Sequence, residues 1–389
     1  QIATVAFDIV YFGAIISTIV VIILDNRNPV KTMAWILILL FLPIVGLVFY
    51  FFFGRSQRRE RIIGQKSYDR LLKKPMAEYM AQDCSDVPEE YARLIQLFQH
   101  TNQAFPFEGN RIAVYTEGYT KLQSLLRELQ KAKQHIHIEY YIFEDDAIGR
   151  LVRDVLIEKA SQGVEVRVIY DDVGCWHVPN RFFEEMRNAG IEVRSFLKVR
   201  FPLFTSRVNY RNHRKIVVID GRIGFVGGMN LAERYMRGFS WGIWRDTHIL
   251  IEGKAVHGLQ TAFLLDWYFV DRTLITASRY FPKIESCGSS LVQVVTSEPI
   301  GPWKEIMQGL TMAINGAKKY FYMQTPYFLP TEQVLAAMQT AALAGVDVRL
   351  MLPERADNRI THLGSHSYLA DVMQAGVKVY FYKKGFLHS

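Results

Sequence analysis

A chain of 389 residues can hold more than one folded unit, and Lys+Arg 46 against Asp+Glu 38 gives a net charge of +8, which suits an anionic partner such as nucleic acid, anionic lipid or a phosphorylated metabolite. The three cysteines, Cys84, Cys175 and Cys287, lie far apart and form no CxxC pair, so neither a zinc ribbon nor a disulfide framework is indicated and a reducing, cytoplasm-facing body is the simpler inference.

Two apolar stretches open the chain. Met33 to Phe53 is 21 uncharged residues, about 31 Å as a helix, enough for a hydrocarbon core of roughly 30 Å. Ile9 to Leu24 is a weaker run, extendable to Ile2 if Asp8 sits at an interface. A cleaved signal peptide is the competing reading, but there is no basic leader and no small-residue cleavage site before Pro29. Residues 1–53 are therefore expected to form a transmembrane helical hairpin, with spans at about 2–24 and 33–53. Arg55, Arg58, Arg59, Arg61 and Lys66 follow the second span, whereas the loop offers only Arg27 and Lys31; this bias puts the body in the cytoplasm. Because it begins with Gln, the chain reads as cut at its front.

Residues 54–106 read as a polar linker with an amphipathic stretch at Glu90 to Gln99. A βα rhythm follows, with helices at Leu122 to Lys133, Gly149 to Ala160 and Arg181 to Ala189 and strands at His135 to Phe143, Val164 to Tyr170 and Ile191 to Phe196. Alternation of this kind implies parallel pairing with crossover helices. The rhythm returns from Trp303, with strands at Tyr320 to Gln324, Asp347 to Leu352 and Lys378 to Tyr382. Segments at Ala132-Lys133, Gly163-Val164 and Ala189-Gly190 recur at Ala317-Lys318, Gly345-Val346 and Ala375-Gly376, offset by 182 to 186 residues, as an internal duplication requires. The expected fold is α/β, an αβα sandwich in two pseudo-symmetric lobes, at 107–285 and 286–389.

The most informative stretch is Asn212-His213-Arg214-Lys215 running into Ile216 to Ile219 and Asp220, then Gly227, Gly228 and Asn230. A His and a Lys two apart on a strand share a face, so an imidazole and an ammonium can converge on one phosphoryl group, and the glycines allow close backbone approach. The repeat puts the counterpart of His213 at the end of the chain, where His388 stands 175 residues on, a spacing close to that of the other repeats.

This pattern, His-x-Lys-x4-Asp-x6-Gly-Gly-x-Asn, resembles the signature of the phospholipase D superfamily, whose enzymes use two such motifs. Further stretches narrow the resemblance to bacterial cardiolipin synthases: Pro29-Val30-Lys31-Thr32-Met33-Ala34-Trp35 in the anchor, and Ile138-Glu139-Tyr140-Tyr141-Ile142-Phe143, Trp244-Arg245-Asp246-Thr247-His248, Thr325-Pro326-Tyr327-Phe328 and Gly385-Phe386-Leu387-His388 in the body. The resemblance implies two phospholipase D-like lobes in the bacterial inner membrane, joining two phosphatidylglycerol molecules into cardiolipin and glycerol through a phosphohistidine. His213 is then the nucleophile and His388 the acid and base, with the opposite assignment open. Lys215 would neutralise the phosphoryl oxygens, Asn230 would add a donor, Asp246 would orient His213 at Nδ1, and Glu139 would lie near the phosphate pocket. Asp220 belongs to the motif, with support of the Lys and loops as its expected role and a strand cap as the rival. The motif's second Lys and Asp would fall beyond Ser389, so the second lobe is expected to be truncated and the chain as written inactive.

No cofactor or metal is expected, since there is no Walker loop and no carboxylate cluster suited to magnesium. His135 and His137, alternating ahead of Glu139, could bind metal but read better as inward polar groups, and the helically spaced His362 and His366 read as structural. Phe201-Pro202-Leu203-Phe204, flanked by Lys198, Arg200 and Arg207, reads as an interfacial loop. A nucleic-acid partner is disfavoured by the spans. The alternatives are a hydrolytic phospholipase D with water as acceptor and, of another class, an inactive membrane scaffold.

Overall fold

The computed structural model describes residues 13, 15–24, 29–50, 87–198, 211–298 and 303–389, which fall into two compact units. In the N-terminal unit, residues 15–24, Pro29–Phe41 and Pro43–Phe49 are helical. The expected second span bends at Leu42, because Pro43 has no N–H to give and starts a new helical segment. Gly46 and Leu42 still donate to carbonyls four residues back, those of Leu42 and Ile38. No helix among the described residues is long and apolar enough to cross a membrane, and the expected ends of the spans, 1–12 and 51–53, lie outside the described residues. Ile22, Leu39 and Tyr50 are buried together, and Trp35 meets Tyr50 edge-on at 5.4 Å. Most other apolar side chains here are exposed, Leu24, Val30 and Phe41 among them.

The second unit begins with α1 (Glu89–Asn102), which covers the amphipathic stretch of the expected linker, and continues through β1 (Pro106–Glu117), α2 (Gly118–Lys131), β2 (His135–Tyr140), α3 (Ala147–Ser161), β3 (Glu165–Asp171), α4 (Asn180–Asn188) and β4 (Glu192–Phe196). After the undescribed residues 199–210 come β5 (Lys215–Ile219), β6 (Ile223–Gly227), a single turn at Arg234–Arg237, β7 (Ile243–Glu252), α5 (Val256–Asp271) and β8 (Ser290–Gln293). These strands form one sheet in the order β4-β3-β2-β5-β6-β7-β1-β8. Parallel pairing holds for β2, β3 and β4, as the crossover helices dictate. It does not hold for the motif strand: β5 runs antiparallel to β2, β5–β6 is a hairpin, and β6–β7 and β7–β1 are antiparallel. A three-residue turn leaves no room for a crossover, so the sheet is mixed.

Then follow α6 (Glu305–Gly316), β9 (Tyr320–Gln324), α7 (Glu332–Leu343), β10 (Asp347–Pro353), α8 (Arg359–Ser367), α9 (Leu369–Gln374), β11 (Lys378–Tyr382) and β12 (Gly385–His388). Strands β11-β10-β9 make a parallel sheet with its own core, built on Leu350, Val348 and Met338. β12 leaves that sheet and pairs in parallel with β7, setting His388 opposite Asp246. The repeat is thus tied to the first sheet through its motif strand.

Candidate active site

The His213 segment is held from below. Asp171, buried at the end of β3, accepts from the Asn212 backbone N–H at 3.1 Å and from Val173 and Gly174 at 2.9 and 3.0 Å. The Asn212 side chain donates to Glu139 and, at 3.1 Å, to Asp266, while its Oδ1 accepts from the Arg214 backbone at 3.0 Å. Arg214 pairs with Asp266. Glu139 is buried, and burial followed by the charge of Asp266 pushes its carboxyl well up from the ordinary range. It therefore meets the motif segment through the Asn212 side chain, on the α5 side of the sheet. Asn212 and Asp266 were missed by sequence reasoning. The neighbouring motif could have flagged Asn212; nothing local flags Asp266.

His213 stands two residues before β5, open to solvent along part of its length but with its ring packed 4.7 Å from that of Tyr141. Its pKa is pulled down to about 4, first by loss of water around the ring and then by the charges of Lys215 and His388, with Asp246 opposing. At neutral pH it is an uncharged imidazole with a free lone pair. Lys215 is buried, donates to the His213 carbonyl at 2.6 Å and lies 5.4 Å from the Tyr141 ring centroid. Burial brings its pKa down to about 7, opposed by Asp246, Asp171 and Glu139.

Asp246 is not the partner of His213. Its Oδ2 lies 2.8 Å from Nδ1 of His388, because β12 docks on β7 and places the two side by side. Asp246 also accepts from the Thr247 backbone at 2.6 Å and from the Trp244 indole at 3.4 Å, and Trp244 and Phe386 flank the His388 ring at 5.5 and 5.8 Å. Gly227 and Gly228 make room for this carboxylate and its strand: a Cβ on Gly228 would fall 2.0 Å from Asp246 Oδ1, and one on Gly227 2.5 Å from His248 Cα. Their service is to β7, not to close approach of a ligand.

Two motif residues belong to the scaffold. Asn230 is buried; its Oδ1 accepts from Ile142 N–H at 3.0 Å and its amide donates to the Tyr235 hydroxyl at 2.5 Å, so it is a tie between loops and not the donor expected for phosphate. Asp220 lies past the far end of β5, about 16 Å of strand from the His213 end at 3.2–3.4 Å per residue. There it accepts the backbone N–H groups of Lys133, Gln134 and His135 at 2.8–2.9 Å. It caps the start of β2 and takes no part at the reacting centre.

Elsewhere, His137 is bonded to Gln260 and Arg167 at 2.7 and 3.2 Å and His135 to Gln260 at 3.2 Å, while His366 stacks on Phe381. No group of three or more His, Cys, Asp or Glu among the described residues could hold a metal ion. The expected interfacial loop at Phe201 to Phe204 lies outside the described residues.

The family model for "Cardiolipin synthase, PLD-like domain" matches residues 125–267 and 310–389, and a "Phospholipase_D-nuclease N-terminal" model matches 13–55. The chain is 41% identical to a cardiolipin synthase of Geobacillus kaustophilus, over 98% of this chain and 78% of that one. It is 36% identical to the major cardiolipin synthase of Bacillus subtilis, over 100% of this chain and 83% of that one. The fold is similar to that of a phosphatidylserine synthase from Haemophilus influenzae, with a TM-score of 0.54 at 13% identity, over 77% of this chain and 79% of that one. With a motif histidine bonded to a buried carboxylate and relatives of this closeness along its whole length, the chain belongs to the cardiolipin synthase family of the phospholipase D superfamily.

Proposed function

We propose that this cardiolipin synthase moves a phosphatidyl group from one phosphatidylglycerol to the hydroxyl of another in two displacements at His213. In the first, the neutral His213 imidazole attacks phosphorus, the P–O bond to glycerol breaks, and His388 gives its proton to the departing oxygen. In the second, His388 takes a proton from the hydroxyl of the incoming lipid, whose oxygen displaces His213 from phosphorus. The phosphodiester energy stays in the P–N bond between steps, so no nucleotide enters. Lys215, buried beside the His213 backbone, answers the charge that builds on the phosphoryl oxygens, and its own proton is held more tightly once an anion arrives.

The observation that carries this division of roles is the asymmetry of the two histidines. His213 has a depressed pKa and no carboxylate bonded to its ring among the described residues, which suits a nucleophile. His388 has Asp246 on Nδ1, which fixes its tautomer and leaves Nε2 for proton transfer. The test is incubation of the full-length enzyme with vesicles of labelled phosphatidylglycerol, quenched during turnover. Cardiolipin together with an acid-labile phosphatidyl adduct on His213 is expected. An adduct on His388 alone would reverse the roles, and phosphatidic acid as the sole product would make water the acceptor.

We further propose that the helices of the N-terminal unit anchor the enzyme as a hairpin in the cytoplasmic membrane of a bacterium, with the body inside. Support comes from their largely exposed apolar side chains and the basic residues after position 54. Protease added to intact cells should spare the body and digest it only after lysis; digestion without lysis would refute this topology.

A further inference from the structure

His388 has Asp246 to fix its ring, whereas neither nitrogen of the His213 imidazole makes a hydrogen bond to a described residue. The χ2 torsion of a histidine is soft, so hydrogen bonding leaves the direction of the His213 lone pair open. What meets the ring is Tyr141, with the two centroids 4.7 Å apart and the planes at 51°. The same tyrosine ring has the Lys215 ammonium 5.4 Å from its centroid. One aromatic side chain thus borders both motif groups that act on phosphorus.

Tyr141 is itself firmly held. It follows β2 directly, and Tyr140 before it is registered with Lys215 and buried, its hydroxyl accepting from Lys121 at 2.9 Å. Ile142 after it donates its N–H to Asn230 at 3.0 Å and accepts from the Leu231 N–H at 3.2 Å. The Cys175 thiol donates to the Tyr141 carbonyl at 3.6 Å and accepts from the Phe143 N–H at 3.3 Å. Gly174 packs so close to that carbonyl that a Cβ there would fall 2.0 Å from the oxygen and 3.1 Å from the Tyr141 ring. The backbone is therefore pinned on both sides of a ring that is only half-buried, which the core does not need as filling. Its hydroxyl makes no hydrogen bond to a described residue.

We propose that Tyr141 is a positioning residue for the nucleophile. Its ring limits the rotation of the His213 imidazole and steadies the Lys215 ammonium by the attraction of a cation to an aromatic face, so that lone pair and charge bear on one phosphoryl group. The ring is the acting part, not the hydroxyl. The motif residue Asn230 then serves the reaction at one remove, by fixing the strand end that carries Tyr141. This rests on the reading of His213 as nucleophile.

The experiment compares Tyr141→Leu with Tyr141→Phe in the full-length enzyme on vesicles of labelled phosphatidylglycerol, with thermal melting alongside. Tyr141→Leu should lower kcat, and the rate at which the His213 adduct forms in a single turnover, by about ten- to a hundredfold. KM should stay within about twofold, because the contacts of the lipid itself are intact. Tyr141→Phe, which keeps the ring, should bring kcat back to within about threefold of the wild type. A Tyr141→Leu enzyme with wild-type kcat, or one whose loss of activity only follows its loss of folded protein, would overturn the proposal. An equal loss in Tyr141→Phe would overturn it too, by making the hydroxyl the acting group. Asn230→Ala supplies a second measurement: it should slow adduct formation in the wild type and do so much less where the Tyr141 ring is already gone. Equal slowing in both backgrounds would break the link between these residues. If Tyr141→Leu does not fold, Tyr141→Met is read in the same way. An adduct on His388 alone in the wild type would strike down the reading beneath the proposal, whereas an adduct on His213 with an unchanged rate in Tyr141→Leu would strike down the proposal only.

Discussion

At the scale of single residues, two of the acidic side chains expected at the site, Asp246 and Asp220, separate cleanly by what they touch. Asp246 is bonded to His388, the imidazole proposed to carry the proton, so Asp246→Asn should leave the fold in place and misorient His388, since an amide can present a donor where the ring needs an acceptor. We expect kcat to fall by a factor on the order of a hundred or more, with an unchanged melting temperature; a loss of a few fold would remove Asp246 from the proton path. Asp220 is the converse case. Three backbone N–H groups at the start of β2 depend on it, and its own φ of 52° sits in the left-handed region that Asn and Asp tolerate better than other side chains. Asp220→Ala should cost about 1–3 kcal/mol of stability, read by denaturant unfolding, while activity per folded molecule is retained. Asp220→Asn, able to accept and at ease with that backbone, should cost less. A motif match alone could not have told these residues apart, because spacing along the chain says nothing of which end of a strand faces substrate.

At the scale of elements, the strands and helices were legible where local periodicity decides them. The repeat strands Tyr320–Gln324 and Lys378–Tyr382 lie where the alternation of apolar residues puts them, and the crossover helices make β2, β3 and β4 parallel. What stayed hidden depends on pairing between distant segments. The bond between Asp246 and His388 joins residues 142 apart and exists because β12 leaves its own lobe to pair with β7, which no window of sequence contains. The glycines show the same limit: Gly-Gly invites a reading of ligand approach, whereas the hairpin β5–β6 carries them against β7. From that packing follows a prediction at Gly228, where a methyl group would overlap the Asp246 carboxylate. Gly228→Ala must displace either the carboxylate or the strand, so it should reproduce much of the activity loss of Asp246→Asn and also cost about 1–3 kcal/mol by overpacking. Full activity in Gly228→Ala would show that the carboxylate has room to move without consequence for His388.

For the whole molecule, the consequence of gathering cations under one sheet is a stability that depends on pH. Lys121 and Lys215 are each held near 7 by burial, against about 10.4 for an unfolded lysine. Through the window above 7 the unfolded chain therefore binds protons that the native fold has released, and stability attributable to these groups rises with pH. The penalty for burying the cations is complete below about pH 7 and is relieved as pH climbs toward 10. Other groups bound the usable window: Cys175, pushed up to about 12 by burial, ionises first in the unfolded chain and lowers native stability above about pH 8.5. The measurement is thus the melting temperature between pH 7 and 8.5, compared between the wild-type protein and Lys121→Met. The variant should be the more stable at pH 7 and its advantage should shrink as pH rises, because the wild type gains what the variant never lost. Parallel curves would mean that Lys121 is not a buried cation in the native state, and the electrostatic account of this face of the enzyme would fall with it.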